Sequence, residues 1–210
     1  NYINQKFSDV FPEFKGLTTL VCEPCDLQKI ARTCDLALLA TPNGVAMKYS
    51  PELLAAGVRV IDYSGDFRLD NQKTYEAAYQ PKHESPALLP KAVFGLPELF
   101  HDQIKKAKLV SNPGCFSTSV ILGRAPLFDA GLVKGVPTAI CVSGTSGAGR
   151  KALVHIIQSE VEGTIKPYKV GAHQHSPEID RILSFAAGEK SHVLFVPELG
   201  PFSRGIICSA

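Results

Sequence analysis

Two apolar runs set the frame of the chain. "LALLA" (36–40) closes on the turn residues "TPNG", and "VRVID" (58–62) closes on "YSGDFR"; between them "GVAMKYSPELLAAG" reads as a helix that stops at Gly57. Short continuous apolar runs bounded by turn residues predict buried strands, and strand–helix–strand at this spacing predicts a parallel βαβ unit. In parallel sheets ligands bind beyond the carboxyl ends of the strands, which is where residues 41–44 and 63–68 fall.

The pattern continues with a polar stretch and a short helix at about 70–80, "KAVFGLPEL", and a helix through "ELFHDQIKKAK". A short strand "KLVS" (108–111) and a helix from Cys115 to Gly131 follow. The texture then changes. "VPTAICVS" (136–143) runs into the loop "GTSGAGRK", and "SHVLFVP" and "GIICSA" are strands separated by a short connection, which favours antiparallel pairing. The expected fold class is α/β, a parallel part followed by a mixed α+β part, joined near residue 112.

The 210 residues suffice for one large or two smaller domains. A net charge of +2 without a Lys/Arg block does not point to nucleic acid. No apolar run reaches the roughly 18 residues of a membrane span, and the opening "NYINQKFSDVFPEF" has no apolar signal-peptide region. Six scattered cysteines without a disulfide framework favour a reducing compartment. Cys22 and Cys25 form a C-x-x-C without the second pair that a metal site needs, so no metal site is expected.

Three stretches carry candidate chemistry. In "SNPGCFSTS" (111–119) Cys115 follows a Pro-Gly turn and opens a helix. There a thiol meets unpaired N–H groups and the positive end of the helix dipole, which favour negative charge; the alternative is a buried cysteine acting as a small hydrophobe. "SGTSGAGR" (143–150) is a Gly/Ser loop after a strand, offering N–H groups and close backbone approach to phosphate, carboxylate or a flat ring, or serving as a plain turn. In "HQHSPEI" (173–179) an extended backbone would point His173 and His175 the same way, with Ser176 and Pro177 starting a helix and Glu178 in its first turn. A base beside a carboxylate suits a proton shuttle. Asp66 and Arg68 read as a salt bridge bracing a loop. Arg150, Lys151, Lys169 and Arg204 are the cations open to an anionic substrate, and His83, His101, His155 and His192 read as structural.

Taken together, "ATPNGVAM", "VIDYSGDFRL", "VFGLPEL", "SNPGCFSTS", "SGTSGAGRK", "PYKVGAHQHSPEI" and "SRGII" resemble the N-acetyl-gamma-glutamyl-phosphate reductases, NADP-dependent arginine-biosynthesis enzymes related to aspartate-semialdehyde dehydrogenases. The resemblance implies that residues 1–111 are the remainder of an NADP-binding Rossmann-type domain and 112–210 a catalytic and substrate domain. It makes Cys115 the nucleophile and His173 and His175 the acid/base segment, with His175 preferred because Glu178 adjoins it and would hold its orientation. Thr41, Pro42 and Gly44, with Ser143, Gly144, Ser146, Gly147, Ala148 and Gly149, would lie against NADP(H); Asn112, Arg150 and Arg204 would meet the substrate. It further implies a small acyl phosphate as substrate, a homo-oligomer (dimer or tetramer), and a cytoplasmic setting, or an organelle stroma or matrix in a eukaryote.

The family's glycine-rich fingerprint is missing, so the chain is expected to be an internal piece lacking both ends of the family's length. The implied reaction is attack of the Cys115 thiolate on the acyl phosphate, reduction of the thioester, and release of an aldehyde. An aminoadipyl or aspartyl phosphate substrate, a cysteine hydrolase, and a non-catalytic relative remain the competing expectations.

Overall fold

The computed structural model describes residues 2–79, 82–149 and 153–210. Among these the helices are α1 (Phe7–Val10), α2 (Leu27–Thr33), α3 (Ala46–Ala55), α4 (Gln72–Tyr79), α5 (Pro97–Lys106), α6 (Cys115–Asp129), α7 (Gln158–Val161) and α8 (Ser176–Ala187). The strands are β1 (Leu36–Leu39), β2 (Arg59–Asp62), β3 (Val93–Phe94), β4 (Leu109–Ser111), β5 (Thr138–Ser143), β6 (Lys166–Pro167), β7 (Leu194–Leu199) and β8 (Ile206–Ser209). They form two sheets, ordered β1-β2-β4-β3 and β6-β7-β5-β8.

The first sheet is parallel throughout, as the apolar runs predict. Its edge strand β3 is only two residues long and left no signal in the sequence pattern. Helix α3 crosses between β1 and β2 and ends at Gly57 in the left-handed region, φ 88°, a conformation glycine adopts without a Cβ penalty. Pro51 sits inside α3 and has no N–H to offer the carbonyl of Met47. The Ser85 hydroxyl donates to that carbonyl instead, at 2.7 Å. Leu39, Met47, Leu53, Val60, Phe67, Tyr75 and Leu109 lie within the core of this part.

The loops after β1 and β2 are fastened together. Asn43 Oδ1 accepts from the Gly65 N–H at 2.8 Å. Buried Asp66 accepts from the Gly44 N–H (2.8 Å), the Met47 N–H (3.0 Å) and the Tyr75 hydroxyl (3.0 Å). Asp66 therefore braces the start of α3 across the sheet edge rather than pairing with Arg68 as the sequence suggested.

The second sheet departs from expectation. β7 and β8 run antiparallel to each other but are not neighbours: β5 lies between them, parallel to β7 and antiparallel to β8. The short connection thus spans one strand width, because β5 supplies Ala139 and Cys141 to the core that α6 and α8 cover. That core also takes Phe94 and Leu96 from the earlier part of the chain. Asp66→Ala is expected to lower stability by about 3 kcal/mol, since it strands two N–H groups and a buried phenol; a shift in the urea midpoint of less than a third of that would mean the loops do not depend on this carboxylate.

Candidate active site

β4 ends at Ser111, and Asn112, Pro113 and Gly114 turn the chain into α6, leaving Cys115 exposed at the helix N-terminus. The turn is held from both sides. The Asn112 N–H donates to the Asp62 carbonyl (2.7 Å), and the Asn112 carbonyl accepts from Arg68 Nε (2.8 Å). The Gly114 N–H donates to Glu178 Oε2 at 3.1 Å. A side chain at Gly114 would collide with the His175 ring, since a Cβ there would lie 2.3 Å from Nε2. The glycine before the cysteine is therefore required by the histidine beside it.

Glu178, in the first turn of α8, is fully buried. Its Oε1 accepts from the Tyr79 hydroxyl and from Arg68 Nη1 (3.4 Å). Arg68 Nη1 also lies 3.4 Å from His175 Nε2, and its Nη2 donates to the Tyr63 carbonyl at 2.8 Å. The Glu178–His175 separation is 4.0 Å, too long for a hydrogen bond. The carboxylate thus anchors the turn before Cys115 rather than holding the imidazole's orientation as the sequence suggested, and Arg68 contacts the imidazole instead. Guanidinium groups only donate, so Nε2 of His175 is the acceptor and the neutral ring carries its proton on Nδ1. That Nδ1 is buried and has no partner among the described residues.

His173 and His175 do come together, with ring centroids 4.7 Å apart, although His175 is helical rather than extended, φ −81° and ψ −15°. His173 Nδ1 accepts from the His175 N–H at 3.1 Å, so its own proton lies on Nε2. Phe116, Tyr168 and Phe195 surround its ring. Burial pushes His173 down to about 3, with the nearby His175 and Lys169 charges adding to the shift. Burial likewise lowers His175; Glu178 opposes this and Arg68 reinforces it. Tyr168 is pushed up to about 12, first by burial and then by the charge on Cys115.

Thr41, Pro42 and Gly44 lie at the carboxyl end of β1, and Thr41 Oγ1 is buried without a partner among the described residues. Residues 143–149 form a turn clamped onto 202–205. The N–H groups of Gly144, Thr145 and Ser146 donate to the carbonyls of Gly205, Phe202 and Ser203, and those of Gly147 and Gly149 are satisfied within the turn. The expectation that these N–H groups stand free is corrected: the glycines admit a second backbone, and a Cβ at Gly144 would lie 2.8 Å from the Arg204 nitrogen. The Ser143 hydroxyl donates to the Gly144 carbonyl at 3.0 Å, while Ser146 and Ala148 lie in the short helical turn of this loop. Arg204 is exposed beside it. Arg150, Lys151 and the His155 side chain fall outside the described residues.

Arg68, Tyr79 and Tyr168 were not singled out as site residues by the sequence. Arg68 and Tyr79 act through contacts more than 90 positions away, and no local pattern announces those. Among the described residues no cluster of three or more His, Cys, Asp or Glu could hold a metal ion, and no helix is long and apolar enough to cross a membrane.

Comparison with known proteins gives two family matches. Residues 1–107 match the model described as semialdehyde dehydrogenase, NAD binding domain, and residues 115–210 match semialdehyde dehydrogenase, dimerisation domain. The chain is 45% identical to an N-acetyl-gamma-glutamyl-phosphate reductase of Desulfotalea psychrophila, over 98% of this chain and 60% of that protein. It is 44% identical to one of Acinetobacter baylyi, over 97% of this chain and 60% of that protein. The chain thus spans about 60% of the length of these curated relatives. Among solved structures, aspartate semialdehyde dehydrogenase from Francisella tularensis matches with a TM-score of 0.63 at 14% identity, over 98% of this chain and 64% of that one. The Candida albicans enzyme with NADP matches at 0.62 and 12%, over 99% and 60%. At these identities the structural likeness speaks for the fold.

The shift of His173 carries a sign. Its folded value near 3 lies below the ordinary 6.5, so the unfolded chain binds the extra proton between them. The stabilisation is complete above pH 6.5 and is lost as pH falls toward 3. Buried Asp62, raised to about 6 by burial, works in the opposite sense and is common to wild type and variant. Lowering the pH from 6.5 to 5 is expected to cost wild type about 2 kcal/mol through His173, and His173→Gln should flatten that part of the urea-unfolding profile. Parallel profiles in the two proteins would mean that His173 is not held neutral.

Proposed function

We propose, for a chain that belongs to the semialdehyde dehydrogenase family, that Cys115 is the nucleophile of an NADPH-dependent reduction of N-acetyl-glutamyl 5-phosphate to N-acetylglutamate 5-semialdehyde and phosphate. The observation that carries this reading is the exposed thiol at the start of α6, with the preceding glycine wedged between the Glu178 carboxylate and the His175 ring. The names of the relatives supply the substrate. We read residues 1–111 as the cofactor-binding part and 112–210 as the catalytic part.

The thiolate attacks the acyl phosphate carbon and phosphate leaves, giving a thioester on Cys115. The first N–H groups of a helix have no intrahelical partner. The Gly114 N–H is already committed to Glu178, so of the helix-start N–H groups those of Cys115, Phe116 and Ser117 are left, and the first two adjoin the thiol and serve the carbonyl oxygen as it gains charge; one such donor is worth about 3 kcal/mol. NADPH, when bound, supplies the hydride to the thioester carbonyl. His175 lends its proton to the resulting oxyanion and takes it back as the oxyanion collapses to aldehyde and frees the thiolate, while His173 packs beside it with its tautomer fixed. Asn112 and Arg204 are assigned to the substrate's anionic groups, as is Arg150.

The residues present fit the cofactor. Thr41 keeps an unspent buried hydroxyl at the carboxyl edge of the first sheet, and Pro42 and Gly44 line the same turn. The 143–149 turn has its N–H groups engaged, so it would meet a flat ring through surface contact and hydroxyls rather than by cradling phosphate. The outer face of the second sheet exposes Ile140, Leu194 and Ile207, which supports assembly with a second copy of the chain. A cytoplasmic setting accords with the free thiols and with this chemistry.

The test runs the reaction backward, with N-acetylglutamate semialdehyde, phosphate and NADP⁺, following NADPH absorbance. Phosphate-dependent reduction is expected, abolished in Cys115→Ser with NADPH binding retained, and His175→Asn should cut turnover by about a hundredfold or more with little change in binding. Turnover surviving Cys115→Ser would remove the thioester; His173→Asn producing the larger loss would move the acid/base role to that residue.

A further inference from the structure

We propose that Cys141 and Cys208 are a reversible disulfide site on the core face of the second sheet. The two residues stand directly opposite each other across the antiparallel β5–β8 pair. The backbone fixes which kind of pair they are. The Gly144 N–H donates to the Gly205 carbonyl at 3.0 Å, and along an antiparallel ladder hydrogen-bonded and non-hydrogen-bonded pairs alternate. Stepping back through Ser143–Ile206 and Val142–Ile207 puts Cys141–Cys208 at a non-hydrogen-bonded position. There the Cα atoms approach to about 4.5 Å and the side chains are closest, within the roughly 4.4–6.8 Å that a disulfide spans. The two sulfurs lie 3.0 Å apart, and both residues belong to or pack against the same core, while Ile140 and Ile207 point outward.

The two thiols differ in a way that assigns their roles. Cys141 is buried and Cys208 partly exposed. The hydrogen bond from Cys141 draws Cys208 down to about 7, with Arg124 assisting and burial opposing. With a low-molecular-weight disulfide such as oxidised glutathione, the Cys208 thiolate attacks one sulfur and one glutathione thiolate leaves, forming a mixed disulfide. Cys141 gives its proton to that leaving thiolate and attacks the Cys208 sulfur, expelling the second glutathione. The protein loses two electrons and two protons, and the oxidised glutathione becomes two thiols. The bond would tie β5 and β8 together just ahead of the backbone clamp between 144–146 and 202–205. It involves neither Cys115 nor the histidines, so it stands apart from the catalytic reading.

The test equilibrates the chain in buffers of increasing oxidised-to-reduced glutathione ratio, quenches with acid, alkylates free thiols and maps the peptides by mass spectrometry. A Cys141–Cys208 linked pair should accumulate with oxidising ratio and disappear with excess reduced glutathione. The oxidised chain should melt roughly 5 to 10 °C above the reduced one, a difference absent in Cys208→Ser. Two outcomes would overturn the proposal. One is recovery of both residues as free thiols or separate glutathione adducts at ratios where exposed Cys25 and Cys34 have reacted. The other is a link formed only between copies of the chain.

Discussion

A carboxylate with no exposed surface, Glu178, is the constraint on which the candidate site depends. An unpaired buried charge is costly enough that a protein would sooner neutralise it. Glu178 instead takes hydrogen bonds from Arg68, Tyr79 and the Gly114 N–H. These partners come from the loop after β2, from α4 and from the turn before α6. The charge is satisfied only when α8 docks against all three, so the geometry of the turn before Cys115 is set by long-range packing as well as by its own sequence. Breaking a buried pair by removing one partner generally costs about 3–5 kcal/mol, which gives the docking a strong preference for one arrangement.

Arg68 extends that constraint to the imidazole. Its donors reach the carbonyls of Tyr63 and Asn112 as well as Glu178 and His175 Nε2. A cation facing Nε2 leaves the lone pair there engaged and the ring neutral, and burial acts in the same direction. The ring's remaining proton sits on the opposite nitrogen, away from Gly114 and unspent. Two neutral histidines of opposite tautomer therefore lie side by side, each fixed by a different part of the chain.

Much of this frame was legible in the sequence, and the reasons separate what was from what was not. β1, α3 and β2 were readable because apolar runs, helical spacing and a terminating glycine all act within a few residues. The helix start at Cys115 and the place of Glu178 in the first turn of α8 were readable because helix-start chemistry is local; the contacts of Glu178 with Gly114, Arg68 and Tyr79 were not. The position of β5 between β7 and β8 was not, since chain connection fixes direction but not neighbour. Arg68 was misassigned to Asp66 for a related reason: two opposite charges two positions apart look like a pair, yet Asp66 is consumed by Gly44, Met47 and Tyr75. That the N–H groups of the glycine loop are engaged by 202–205 was not legible, because free N–H groups and N–H groups held by a distant segment have the same sequence.

Gly114 shows how a local signature and a distant contact become one requirement. Pro-Gly before a cysteine looks like turn chemistry alone, and Gly114 adopts extended backbone, φ −65° and ψ 151°, which any residue tolerates. The reason for glycine lies elsewhere, in the imidazole that occupies the space of a side chain. The same atom-sized gap lets Glu178 reach the Gly114 N–H from the first turn of the helix His175 caps. The thiol, the imidazole and the carboxylate are thus brought to adjacent positions by the absence of one methyl group. A larger residue there would have to push His175 off Arg68 or α8 off α6, and the second displacement would strand the buried carboxylate. The turn residue and the buried charge impose a single geometry between them, and that geometry is what aims the thiol outward.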